Sequence, residues 1–341
     1  MKPLRFAILG TGFWARYQLA AWRELPGVEC VAVCNRTRGK AETLAREFGV
    51  PAVYDDAGAL LRTERLDFVD IITDPGTHRA FTELAARHGV PVICQKPMAE
   101  SLDDARAMLE SCQAAGVPLL IHENWRWQSP MRALAEVLHS GVIGEVFRAR
   151  IDFVTSFPVF ENQKFLAELP RFILADIGTH VLDTARFLFG EAQSLYATTR
   201  RVNPAIKGED VATVMTTHGR CTVVTNMSYA SRTEHERFPE TFVFVEGSRG
   251  SAEITPGCGL RVTTASGTQV VSCAPPVYPW ADPAYALVHA SIVDCHRNLL
   301  AALRGEAAAE TPAADNLRTL ELVFAAYDSA GDGQPRKWPA L

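Results

Sequence analysis

A strand that runs into a glycine turn and then straight into a helix leaves a chain few ways to fold. Leu4-Arg5-Phe6-Ala7-Ile8-Leu9 is rich in strand formers, Gly10-Thr11-Gly12 follows, and a helical pattern begins at Phe13 and continues to about Leu25. Gly10 permits the sharp turn. Gly12 lets a pyrophosphate approach the backbone and the first N–H groups of the helix, and Ala15, at the third fingerprint position, is small enough for helix and strand to pack closely. Short glycine turns between a strand and a helix are common. This one is more specific because it directly follows a strand and opens a helix. Read that way, Gly10, Thr11, Gly12, Phe13 and Trp14 bind a dinucleotide; the plainer alternative is a structural turn.

The pattern then repeats. Val28–Cys34 reads as a second strand, with a helix through Ala41, Leu44, Ala45 and Phe48 that stops at Gly49. Leu66–Ile72 and Val90–Cys94 are further strands, separated by a helix from Arg79 to His88. A helix from Leu102 to Ala115 leads to a strand at Val117–Ile121. Alternating strands and helices predict an α/β fold, a doubly wound parallel sheet of Rossmann type, over residues 1–122.

Residues after the second strand select the dinucleotide. An NAD enzyme usually places Asp or Glu there to accept from the ribose 2′-hydroxyl. This chain has Asn35-Arg36-Thr37-Arg38-Gly39-Lys40, and the Arg36 fork suits a 2′-phosphate, so NADP is preferred to NAD as cofactor. A solvated basic loop is the alternative. In open α/β sheets, ligands bind beyond the carboxyl ends of the strands. Two segments stand there: Thr73-Asp74-Pro75-Gly76-Thr77-His78, a turn placed to line the nicotinamide ribose, and Cys94-Gln95-Lys96-Pro97, where a proline fixes Lys96 at a strand exit.

Past Ile121 the pattern changes. His122-Glu123-Asn124-Trp125-Arg126-Trp127 mixes polar and aromatic residues, and a helix follows from about Met131 to Ser140. Glu145–Thr155 alternates as a long half-exposed strand, and similar runs recur at Ser194–Arg201, Val211–His218, Cys221–Ser228, Thr241–Glu246 and Gly259–Val271. Residues 123–341 therefore read as an α+β domain with a large, mostly antiparallel open sheet. Helices at about Tyr285–Arg304 and Asp315–Ser329 cover that sheet or pack back on the first domain. A sheet face left over suits a subunit interface, so a homodimer or homotetramer is expected.

Asp176, His180 and Asp183 fall at spacings that share one face of a helix. An imidazole beside a carboxylate can take a proton from an alcohol at neutral pH, although a core histidine and a helix-start aspartate would show the same spacing.

The formal charge of −5 over 341 residues argues against nucleic acid, and no run of about 18 apolar residues offers a membrane span or signal peptide. The eight cysteines show no C-x-x-C pair or zinc-type spacing, so reduced thiols in the cytoplasm and no metal are expected.

Taken in order, Gly10-Thr11-Gly12, Gln95-Lys96-Pro97, Asn124-Trp125-Arg126-Trp127, Asp176–Asp183 and the Asp315–Ser329 helix resemble the Gfo/Idh/MocA oxidoreductase family along nearly the whole chain. The resemblance implies a nicotinamide-dependent dehydrogenase or reductase acting on a sugar, polyol or related compound. It implies Lys96 at the reacting oxygen, His180 as general acid/base and Asp176 orienting the hydroxyls. It also implies Arg126 and Trp127 in the substrate pocket, and Gln95 and Asn124 near the cofactor. Two departures stand out: Gln95 replaces the family's usual Glu before Lys-Pro, and no acid follows the second strand. A glycoside hydrolase of the same fold with retained nicotinamide, and a non-catalytic dinucleotide sensor, are the competing functions. Substrate choice falls to Phe157, Phe160, Asn162 and Lys164, which line a pocket or pack locally, and to Arg232, His235 and Arg237, which bind an acidic group or lie in water.

Overall fold

The computed structural model describes residues 2–338. The expected domain limits at residues 1 and 341, and the side chain of Asn162, fall outside the described set. The chain forms two compact units: Met1–Glu123 with Pro279–Ala281 and Ile292–Leu320, and Asn124–Tyr278 with Asp282–Ser291 and Glu321–Leu341.

The first unit is built on β1 (Leu4–Leu9), β2 (Val28–Cys34), β3 (Ala52–Tyr54), β4 (Phe68–Ile71), β5 (Val92–Gln95) and β6 (Leu119–His122). All pair in parallel in the order β3-β2-β1-β4-β5-β6. The helices α1 (Phe13–Arg23), α2 (Arg38–Phe48), α3 (Ala57–Thr63), α4 (Pro75–Arg87) and α5 (Leu102–Ala115) alternate with the strands. Burial on both faces explains the continuous apolar runs: Phe6–Leu9 and all of β4 are buried. Stop signals work as chemistry dictates, since Gly49 and Gly116 end α2 and α5 in the left-handed region. At Gly10 (φ +99°) a Cβ would lie 2.4 Å from the carbonyl oxygen of Ile72, so the turn after β1 admits no side chain.

The core of this unit holds Phe6 stacked on Phe68 at 4.9 Å, with Trp22 tilted against both. Into this apolar centre the unit places a carboxylate. Asp70, fully buried on β4, accepts from Trp22 Nε1 at 2.8 Å, while its Oδ1 has no partner among the described residues. Burial drives its carboxyl from 3.8 up to about 7, against the pull of the indole N–H. A folded pKa raised above the unfolded one contributes stability that is complete below pH 3.8 and is lost as pH rises through 7. Asp70→Asn should therefore gain on the wild type by about 2–3 kcal/mol between pH 5 and pH 8. Urea unfolding at the two pH values checks this, and parallel pH profiles would remove Asp70 as the cause.

Residues from later in the chain complete the unit. His296 stacks on Trp22 at 3.8 Å, Arg304 donates to the carbonyls of Pro26 and Gly27, and the backbone of Thr311 and Pro312 extends the edge at β6.

The second unit carries a nine-stranded sheet. Its strands are β7 (Val146–Val154), β8 (Ser194–Arg200), β9 (Val211–His218), β10 (Cys221–Ser228), β11 (Phe242–Gly247), β12 (Gly250–Thr255), β13 (Gly259–Thr264), β14 (Gly267–Ser272) and β15 (Arg336–Lys337), ordered β14-β13-β12-β11-β7-β10-β9-β8-β15. Pairing is antiparallel except between β7 and β10. The helices α6 (Ser129–Ser140), α7 (Val159–Asn162) and α8 (Thr179–Phe189) belong to this unit. Two long helices, α9 (Ala286–Leu303) and α10 (Ala313–Asp332), are divided between the units: α9 enters the first at Ile292, and α10 leaves it after Leu320. Alternation along β7, β9 and β10 buries Ala149, Ile151, Val214, Val223 and Met227 on one face. On the other face Tyr196 and Met215 stand opposite in register and are exposed.

Several expectations are corrected. The run Gly259–Val271 is a hairpin, not one strand: Gly267 (φ +122°) turns β13 into β14. Thr73–His78 is not simply a turn, because Pro75 starts α4 and places His78 inside its first turns. The short β3, α3, β12 and β15 carry no pattern that announces them in the sequence. Among the described residues no helix is long and apolar enough to cross a membrane.

Candidate active site

Candidate residues of the first unit gather at the carboxyl ends of its strands, where the strand order reverses between β1 and β4. The N-terminus of α1 opens there with Gly12 as its cap, no side-chain cap and no acid in its first turn. Nothing lies within 4 Å of where a Gly12 Cβ would stand. Thr11 Oγ1 is buried without a partner among the described residues. Open backbone, a helix N-terminus without a side-chain cap and an orphaned hydroxyl fit a dinucleotide pyrophosphate. Phe13 and Trp14 come next, ring edge to face at 5.2 Å.

Asn35 closes the end of β2 onto this turn: its Oδ1 accepts from Thr11 N–H at 3.3 Å and its Nδ2 donates to Thr37 O at 3.1 Å. Within the basic loop, Arg38 is drawn to Glu42 and Asp55, whereas Arg36 is exposed and has no carboxylate partner among the described residues. Thr73 leaves β4 and accepts from the Thr77 hydroxyl at 2.7 Å. His78 departs from its expected role at the cofactor. It is fully buried, with Nδ1 3.2 Å from the carbonyls of both Pro97 and Met98 and Nε2 3.0 Å from that of Thr73. Burial pushes the ring down from its usual range. The His78 ring fills the turn after Lys96, and as a neutral ring it can donate to the backbone from only one of its nitrogens.

The second unit arranges the other candidates around one helical run. Leu174–Gly178 is a wide π-type turn that flows into α8. Such turns insert a residue into the ladder and rotate the side chains beyond it, and they are frequent at functional sites. Asp176 is consequently half-buried, whereas His180 and Asp183 are buried, so the three do not form one uniform stripe. His180 stacks on Trp125 at 4.2 Å and 23°, and Trp125 Nε1 donates to Thr241 Oγ1 at 2.9 Å.

Arg126 is used differently from the expectation that it meets substrate. Its Nε and Nη2 reach Asp183 Oδ2 and Oδ1 at 2.8 and 2.6 Å, with side chains 7% and 0% exposed. A buried bidentate pair of this kind anchors the Trp125–Trp127 turn to α8. Asn124 likewise donates to Val288 O and Ser291 Oγ and so ties the turn to α9. Trp127 lies under the Arg132 guanidinium at 4.3 Å, and its buried Nε1 has no partner among the described residues. It is a donor available to a ligand.

Two features escaped the sequence. Glu209 accepts from Phe172 N–H, Leu174 N–H and Tyr327 O–H, while Tyr327 O accepts from Ala175 N–H, so this pair caps the run that carries Asp176 and His180. Gly208 makes the approach possible, since a Cβ there would lie 2.8 Å from Leu169 O. Glu236 accepts from Thr155, Ser156 and the N–H groups of Arg237 and Phe238. Burial raises its carboxyl, but the hydrogen bonds prevail and hold it below the usual range. That clasp accompanies the stacking of Phe157 on Phe238 at 4.0 Å, and Phe160 packs on Phe172 at 5.2 Å, the local-packing alternative for both rings. Arg232, His235 and Arg237 are exposed, with Arg237 over the Phe242 ring.

Residues 4–123 match the model of the oxidoreductase family with an NAD-binding Rossmann fold, and residues 131–253 match the Gfo/Idh/MocA C-terminal domain. The D-apiose dehydrogenase of Paraburkholderia graminis is 44% identical over 98% of this chain and 89% of its own length. That of Rhizobium rhizogenes is 42% identical over 98% and 97%. An oxidoreductase from Agrobacterium radiobacter, solved with NAD+, L-tartaric acid and magnesium, superposes with a TM-score of 0.97 at 41% identity and covers 98% of each chain. The chain belongs to the Gfo/Idh/MocA family and is a nicotinamide-dependent oxidoreductase acting on a sugar, polyol or related hydroxy or keto compound.

Proposed function

We propose that the enzyme is a dehydrogenase of a small aldose, with D-apiose as its substrate. The observation that carries this reading is identity of 44% and 42% to two D-apiose dehydrogenases across 98% of the chain. When bound, the dinucleotide supplies the hydride acceptor. His180 takes the proton of the reacting hydroxyl, the Lys96 ammonium steadies the developing alkoxide, and Asp176 orients neighbouring hydroxyls. The Trp125 face beside His180 favours the imidazolium that forms, and Trp127 Nε1 donates to the sugar. Measuring kcat/KM on D-apiose against other pentoses and polyols tests the reading, and a preference for a polyol by tenfold or more would overturn it.

For the cofactor, the exposed Arg36 and the missing acid after β2 support NADP, while NAD+ in the Agrobacterium relative supports NAD. On the NADP reading, Arg36→Ala weakens NADPH binding about 10–100-fold, the loss of a charged hydrogen bond, and leaves NADH unchanged. Parallel fluorescence titrations decide it; equal effects on both nucleotides, or tighter NADH binding by the wild type, would assign Arg36 to solvent. We also propose that the exposed sheet face carrying Tyr196 and Met215 joins copies of the chain in a dimer or tetramer, which sedimentation would read directly.

A further inference from the structure

Given the reading that Lys96 meets the reacting oxygen, we propose that His122 is a positioning residue for Lys96, acting through Gln95 by a contact that carries no charge. Gln95 is the last residue of β5, and its Oε1 accepts the backbone N–H of Lys96 at 3.0 Å. A carbonyl oxygen can only accept, so this bond fixes which way the amide points. The arm left to face His122 is the Nε2 group, 3.3 Å from Nδ1. Register puts the two side by side, because Gln95 and His122 are direct partners across β5 and β6.

A second amide reaches this nitrogen. From α1, Gln18 brings its own Nε2 to 3.4 Å of the same nitrogen. With Gln95 donating, Nδ1 must present its lone pair, so the ring is neutral with its proton on Nε2. His122 and Gln18 are each 1% exposed, and the His296 ring from α9 stands edge-on at 4.9 Å. Gln95 therefore cannot turn without leaving a buried donor unmatched. Past Lys96 in the chain, His78 Nδ1 lies 3.2 Å from the carbonyls of both Pro97 and Met98. Lys96 leaves its strand between two buried imidazoles, each acting through backbone or amide groups. A carboxylate at position 95 can only accept, so the His122 ring would have to move its proton from Nε2 to Nδ1 to keep the contact. Glutamine holds the frame without adding a charge beside the Lys96 ammonium.

The test compares His122→Leu, which removes the acceptor, with His122→Asn, whose Oδ1 restores one, alongside Gln95→Glu and Lys96→Ala. Rates on D-apiose are read together with dinucleotide Kd by fluorescence and with ¹⁵N shifts of labelled histidine in the wild type. His122→Leu should lower kcat about 10–100-fold, as misplacement of a reacting group does, with dinucleotide Kd within about twofold; His122→Asn should recover most of the rate. Gln95→Glu should move the His122 proton from Nε2 to Nδ1, a change that the ¹⁵N spectrum of that variant reads. The wild-type ¹⁵N spectrum should report the Nε2–H form of His122 from pH 6 to 9. A wild-type kcat in His122→Leu, or a protonated Nδ1, overturns the proposal, and the spectrum stands even where a buried variant fails to fold. Full activity in Lys96→Ala would sink the underlying reading. An inactive Lys96→Ala beside a normal His122→Leu would sink this inference alone.

Discussion

Replacing His180 with alanine is expected to lower kcat by about 10²–10⁴-fold, the range contributed by a positioned proton acceptor. In free energy that is about 3–5 kcal/mol of lost transition-state stabilisation. The ring sits near the start of α8, just past the π-type turn, stacked on Trp125, which is itself held by Thr241. Such a ring has few rotamers open to it, and on the proposal that it takes the substrate's proton its nitrogens are held in place rather than swept through solvent. Dinucleotide affinity should stay within about twofold, since no fingerprint residue changes. Removing the ring also opens a void against Trp125, so His180→Asn, nearer in shape, is measured beside it. Both variants should lose the rate. If His180→Asn turns over at a wild-type rate, His180 only packs. Residual activity in His180→Ala should climb with pH, because hydroxide then takes the proton that the ring no longer accepts.

Asp183→Ala should cost about 3–5 kcal/mol of stability, because it strands the Arg126 guanidinium in a buried site. The effect is an uncompensated charge, not the intrinsic strength of the pair. A double variant that makes both positions apolar, Arg126→Met with Asp183→Leu, should therefore recover most of the loss. Chemical denaturation of the single and double variants separates the two explanations. A single-variant cost under about 1 kcal/mol would mean that water reaches the guanidinium. Activity should fall with stability in Asp183→Ala, since the ion pair couples α8 to the turn bearing Trp125 and Trp127.

How legible all this was in the sequence depends on range. The parallel sheet could be read because its strands are buried on both sides, which writes apolar runs such as Phe68–Ile71, and its helices stop at glycines such as Gly49 and Gly116. Three-residue β3 is half-buried along its length and carries no comparable run. The β13–β14 hairpin reads as one strand because β14 is wholly exposed and Thr263 and Thr268 are alike on both sides of Gly267. Site residues with local motifs, Gly10–Gly12, Lys96 and His180, stood out. Glu209 did not, because its hydrogen bonds reach back to Phe172 and Leu174 and on to Tyr327. The Arg126 ion pair was hidden for the same reason: its partner is 57 residues away, and only the fold brings the two together.

The first unit is not a contiguous stretch of chain, and this bears on how such a protein can be divided or inherited. A fragment ending at Glu123 would omit the His296 ring that covers Trp22, and Thr311 and Pro312, which extend the edge at β6. It would display a bare indole and an open strand edge, both invitations to self-association. Exchange of the nucleotide-binding half between relatives by a single crossover would create the same defect, because the cover and the sheet would come from different parents. Recombination that respects the fold must carry the 1–123 and 292–320 segments together, so changes at Trp22 and His296 are expected to travel as a pair.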